Sequence, residues 1–288
     1  MKRRRESSLE SAPKLVILGS QGMVGSMVSH YFSLQGIPYR SVDREDFEVG
    51  SGNILRFLRD LRCLPGTYVL NCIGIVNRRV AATPLAALVR VNSLFPHELA
   101  KACESLHLRI IHVSTDCVFS GSEGGYTESS PPSPTDLYGI SKALGEPLDG
   151  AMVIRSSFIG TEVKNFYLLV SWVLAQAGKV VPGYANHFWN GVTSLQFAQI
   201  IQKIMEKSLF EYGLFHVYSP VSATKEELVR MIAEAFSVNV RVNSAQASGK
   251  IDRRLCSQKT LCDMLCIPPL EKQLAELVRV ALPTRCGI

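Results

Sequence analysis

Residues Lys14 to Gly25, KLVILGSQGMVG, admit few folds. The run Lys14–Leu18 is apolar without a helical period, as a strand covered on both faces is. It leads directly into Gly19, Gly22 and Gly25, then into Met27, Val28, Tyr31, Phe32 and Leu34, apolar at helical spacing and stopped by Gly36. A strand that enters a helix through a glycine turn opens a βαβ unit, which requires a parallel sheet. Glycines at such a turn let the backbone approach a pyrophosphate, and the helix N-terminus offers free N–H groups and a positive dipole end. A Gly-rich strand-to-helix turn can also be purely structural.

The alternation continues. A strand IPYRSV ends at Asp43, and GNILRFLRDL reads as a helix, TYVLNCIGI as a strand, PLAALVRVNSLFPHELAKACESL as one or two helices and LRIIHVS as a strand. A long polar stretch follows, TDCVFSGSEGGYTESSPPSPTD, then a helix from Leu137 and the strand AMVIRSSFIG. The expected architecture is α/β: a Rossmann-type doubly wound parallel sheet over residues 14–160. Beyond Gly160 the pattern loosens into the helix NFYLLVSWVLAQ, an irregular VVPGYANHFWNGV, the helix SLQFAQIIQKIMEK, the strand LFHVYS and helices near Lys225–Phe236 and Leu270–Val280. Residues 161–288 are expected to form mainly a smaller C-terminal substrate-binding lobe, with interleaving into the first domain left open. Residues 1–13 read as a flexible basic extension.

Composition removes several function classes. With 47% hydrophobic and 19% charged residues in 288, the chain can bury a full core. The net charge of +6 is partly the tail, where Lys2, Arg3, Arg4 and Arg5 cluster, and no later stretch interleaves basic and aromatic residues. No nucleic-acid partner is expected. Nothing approaches a bilayer-spanning length or a secretory signal, so the expectation is a cytoplasmic protein without a membrane partner. Eight cysteines without a signal peptide read as free thiols, and Cys256, Cys262, Cys266 and Cys286 do not form paired CxxC knuckles. His30, His97, His107, His112, His187 and His216 show no metal spacing, and no metal is expected.

Three groups can carry chemistry. Asp43 sits where a ribose-binding carboxylate is expected after the glycines, whereas Arg44 and Arg40 can receive the 2′-phosphate of NADP, so NADH and NADPH both remain open, with the arginines weighing toward NADPH. Tyr138 and Lys142 in YGISK share a helix face, and an ammonium beside a phenol stabilises the phenolate and lowers the phenol's ordinary pKa of about 10. Ser114, Thr115 and Asp116 stand at the C-terminal end of LRIIHV, where open parallel sheets bind ligands, and a hydroxyl there can hydrogen-bond a substrate carbonyl. Taken singly, each has an ordinary structural reading as a solvated helix face, a turn or a strand-end cap.

In order, GSQGMVG, LNCIG, STDCVFSG with YTE downstream, YGISKALGE and VIRSSFIG resemble the extended short-chain dehydrogenase/reductase superfamily, and within it the dTDP-4-dehydrorhamnose reductase family, over residues 14 to 280. The resemblance implies an NAD(P)H-dependent reductase of a nucleotide-linked 4-keto-6-deoxy sugar. It implies a catalytic set of Thr115, Tyr138 and Lys142, with Lys142 and Tyr138 also at the cofactor. The implied cofactor contacts are Gly19, Ser20, Gln21, Gly22, Met23, Val24, Asp43, Arg44, Cys72, Ile73 and Gly74, and Asn92 matches a recurrent asparagine. Thr115, Asp116, Cys117, Arg155, Trp189 and Asn190 are the implied substrate contacts. Cys117 stands where relatives often carry an aromatic residue, Trp189 can equally be core packing, and Arg155 can equally be a structural ion-pair residue. The alternatives are a non-catalytic regulatory subunit resembling the beta subunit of methionine adenosyltransferase and, ranked lower because Asp116–Cys117 lacks an Asp-Glu pair, an epimerase or dehydratase. A homodimer is left open.

Overall fold

A computed structural model describes residues 12–162, 166 and 168–280. Most of the basic extension and Cys286 therefore lie outside the described residues. Strands β1 (Leu15–Leu18), β2 (Tyr39–Val42), β3 (Tyr68–Asn71), β4 (Arg109–Val113) and β5 (Met152–Arg155), with the edge strand Gly213–His216, form one parallel sheet. Its order runs from the edge strand through β5, β4, β3 and β1 to β2. The expected doubly wound sheet is present.

The unbroken apolar run in β1 follows from burial on both sides. Leu15 and Ile17 pack with Val28 and Phe32 of helix α1 (Met23–Leu34), while Val16 and Leu18 pack with Ile54, Leu58, Phe95 and Leu99 on the opposite face. The chain leaves β1 toward β2 on one side and returns to β3 on the other, which opens a crevice at their C-terminal ends. The glycine turn after β1, Asp43 after β2 and Cys72–Gly74 after β3 all leave the sheet at this crevice.

Two segments assigned to the second lobe belong to the main layer. Phe197, Ile200, Ile201 and Ile204 of the helix Ser194–Glu206 cover the face of β1 beside α1, and Gly213–His216 is the sixth strand of the central sheet. An amphipathic period states that a helix has an apolar face but does not state which sheet receives it. The remaining C-terminal elements make their own core, in which Val173, Leu228, Ile232, Leu274 and Leu277 meet. His187–Trp189 runs between Ala223–Thr224 and Ile251–Asp252 there, and Thr224 and Glu227 form a capping box on the helix Lys225–Ala235. Among the described residues no helix is long and apolar enough to cross a membrane.

The stretch read as one or two helices divides into Leu85–Val89, a π-helical turn Arg90–Leu94 and Phe95–Ser105. Pro96 has no N–H to return to the Asn92 carbonyl, which loosens the ladder at that turn. Gly145 packs on that carbonyl so closely that a Cβ would collide with its oxygen.

Candidate active site

Gly19 and Gly25 are demanded by close approach. Gly19 has φ +80°, and a Cβ on it would stand 3.0 Å from the carbonyl of Cys72 and the nitrogen of Ile73. A Cβ on Gly25 would strike the Gly19 carbonyl. Gly22 is the N-cap of α1 and offers it no side-chain cap, and the first turn holds no acid. The helix N-terminus, with Ser20, Gln21, Met23 and Val24 along it, is thus open to an external anion. Cys72 and Ile73 face Gly19 from the end of β3, and Gly74 follows them beside the Asn92 amide, so the expected cofactor residues of β1 and β3 are brought together.

Asp43 follows β2 and accepts a bond from the Gln21 side chain on one oxygen and from the Glu45 N–H at 2.8 Å on the other. The carboxylate is therefore held beside the glycine turn. Arg44 is exposed and has one loose ion pair, to Glu48 at 4.0 Å.

Thr115 follows β4 by one residue, Ser114. Its hydroxyl accepts from the Cys117 N–H and donates to Asp116 Oδ1, both at 3.1 Å. The helix Leu137–Ala143 is capped by Asp136, which accepts from the Gly139 N–H at 2.7 Å. Gly139 presses on the Cys117 carbonyl where a Cβ would not fit, which seats the helix and its Tyr138 on the Thr115–Cys117 turn. Asn92 ties the opposite wall: its side chain accepts from the Ile75 N–H at 2.7 Å, donates to the Ile75 carbonyl at 2.9 Å and donates to Ser141 Oγ at 3.0 Å.

The electrostatics correct one expectation. Burial pushes the Tyr138 phenol above its ordinary value, Cys117, Asp116 and Asp136 act in the same direction, and the Thr115 hydroxyl opposes them. Lys142 Nζ donates to the Val113 carbonyl at 2.8 Å and lies 3.5 Å from His112 Nε2. Burial lowers Lys142 itself to about 8. Asp116 is raised by burial against the pull of Arg253, and burial puts the Cys117 thiol at about 12.

Three expected substrate contacts are placed otherwise. Arg155 is 2% exposed and bonds Glu146 through Nε at 2.8 Å and Nη2 at 2.7 Å. It is a structural ion-pair residue. The Asn190 amide donates to the Leu255 carbonyl at 2.8 Å and accepts from the Leu255 N–H at 2.9 Å, so its side chain clamps two segments together. Trp189 packs on the second core. Conversely, His112, Lys225 and Arg253 reach this region from outside the quoted motifs, and Asn71 of LNCIG and Glu146 of YGISKALGE reach it without having been assigned a role. His112, in the middle of an apolar strand, was the one visible signal.

A parallel sheet with an uncapped glycine turn at its crevice and a Thr–Tyr–Lys constellation beside it defines a Rossmann-type dinucleotide fold of the reductase class. The sequence profile of the RmlD substrate binding domain matches residues 13–255, and the chain belongs to that family. A dTDP-4-keto-6-deoxy-D-glucose reductase of Streptomyces niveus is 28% identical over 224 residues, 75% of this chain and 76% of that protein. The methionine adenosyltransferase 2 subunit beta of Rattus norvegicus is 30% identical over 156 residues, 49% of this chain and 46% of that protein. The solved structure of dTDP-4-dehydrorhamnose reductase from Bacillus anthracis, in complex with NADP, has a TM-score of 0.77 at 19% identity and covers 91% of this chain and 97% of that one. At that identity the likeness is one of fold.

Proposed function

We infer that the protein reduces the keto group of a nucleotide-linked 4-keto-6-deoxy sugar with NADPH or NADH, as an enzyme of the cytoplasm. The observation that carries this reading is the seating of the Tyr138 helix on the Thr115–Cys117 turn, together with the uncapped glycine turn into α1. The names of the relatives agree with it. Gly19, Gly22, Gly25 and Asp43 hold the dinucleotide, which when bound supplies the hydride. The Thr115 hydroxyl steadies the substrate carbonyl, and Tyr138 passes its phenolic proton to the oxygen that becomes the alcohol. A phenol raised by burial is protonated at neutral pH, which is the form a proton donor needs. Lys142 in its charged form stabilises the phenolate left behind. The test is loss of reduced-cofactor absorbance with a panel of nucleotide 4-keto-6-deoxysugars, and no oxidation with any of them overturns the reading.

NADPH is the better cofactor. Arg44, loosely paired, can give a 2′-phosphate charge-assisted bonds. Arg44→Ala is expected to weaken NADPH about tenfold, the scale of one such bond, and to leave NADH unchanged. Fluorescence titration of both cofactors measures this, and equal losses remove Arg44 from the site.

The working form is a homodimer. Leu137, Ile140 and Leu144, 51%, 41% and 63% exposed, form an apolar stripe along one helix, and Leu94 of the adjoining π turn extends it. Light scattering is expected to give twice the chain mass of 31.7 kDa, falling to the single value in an Ile140→Lys variant.

A further inference from the structure

Asn71 ends β3, and its side chain is fully buried. Its Oδ1 accepts the Ile73 N–H at 3.1 Å, which fixes the amide so that Nδ2 meets His112 Nδ1 at 3.0 Å. An amide nitrogen can only donate, so Nδ1 of His112 accepts, and the neutral ring carries its proton on Nε2. The ring is kept neutral by complete burial, with Lys142 and His97 adding to the effect. Nε2 lies 3.5 Å from Lys142 Nζ. An ammonium there would set donor against donor.

Of the other groups around Lys142, Glu146 does most to hold its charge, and burial outweighs it. The Val113 carbonyl takes one of its protons. The Glu146 carboxylate is already occupied by Arg155 and by the Ser114 hydroxyl at 2.6 Å. The Cys72 thiol, held at about 12 by burial, is neutral.

We propose that His112 is a positioning residue that acts through Lys142: locked by Asn71 with its proton on Nε2, it presents a donor to the lysine nitrogen and favours the neutral amine, which accepts that bond while still donating to Val113. The inference rests on the reading of Lys142 as the partner of Tyr138. Acting together with burial, which brings Lys142 to about 8, the His112 donor makes the lysine's charge, and with it the stabilisation of the Tyr138 phenolate, fall away just above neutral pH.

The test titrates Lys142 directly, by NMR of protein labelled with [13Cε]lysine, its signal assigned by disappearance in Lys142→Arg. The wild-type midpoint is expected near 8. His112→Gln places an amide where Nε2 stood and can turn its oxygen to Nζ, and His112→Asn keeps a partner for Asn71 while removing the donor to lysine. Each is expected to raise the midpoint by at least one pH unit, and the alkaline limb of kcat is expected to move with it. A midpoint unchanged in the folded variants overturns the proposal, and either variant suffices if the other fails to fold. A shifted midpoint in a protein that reduces no nucleotide sugar keeps the His112 inference and removes the reductase reading. Turnover with an unmoved midpoint does the opposite.

Discussion

Tyr138→Phe is expected to lower kcat about 10²-fold or more, the scale of a lost general acid, while NADPH affinity and thermal stability stay near wild type. Phe keeps the ring on the Thr115–Cys117 turn and removes only the hydroxyl. The seat of the helix is made by Asp136 and Gly139, so the substitution leaves it in place. The measurement is single-turnover oxidation of NADPH with a saturating nucleotide sugar, which separates chemistry from product release. A variant that turns over like wild type moves the proton donor elsewhere, with the buried Asp116 the next group to examine. Should the wild-type protein bind NADPH and reduce nothing, the likeness to the methionine adenosyltransferase beta subunit becomes the better guide, and a protein partner the next object of search.

Glu146→Gln is expected to cost about 3 to 5 kcal/mol of folding stability, because it leaves the Arg155 guanidinium buried and unpaired. The two side chains are 2% and 3% exposed, and Arg155 Nη1 already has no partner among the described residues. Removing both charges together, as Glu146→Leu with Arg155→Met, is expected to recover most of the loss, since well-packed apolar residues replace a buried pair at little cost. Urea unfolding of the two singles and the double gives the coupling directly. A Glu146→Gln cost below about 1 kcal/mol, the range of exposed pairs, would show that the pair does not hold this part of the fold. Because Ser114 donates to Glu146, the same substitution loosens the end of β4 that carries Thr115, so kcat is expected to fall along with stability.

The sequence by itself determined whatever is local. KLVIL followed by three glycines and an amphipathic helix specifies β1, the turn and α1, because strand burial, glycine φ and helical period each act over a few residues. The spacing of Tyr138 and Lys142 places them on one helix, and the strand-end position of Thr115 places it at the crevice. Only the tertiary structure decided what depends on contacts between distant segments. Arg155 became one half of a buried pair because Glu146 reaches it from the loop after the catalytic helix, and the Asn190 amide was taken by Leu255, 65 residues away. The helix Ser194–Glu206 joined the main layer because its apolar residues pack beside α1 on the same face of β1. The Tyr138 phenol is raised rather than lowered because desolvation and hydrogen-bond partners are properties of a place in the fold, and spacing along the chain does not encode them.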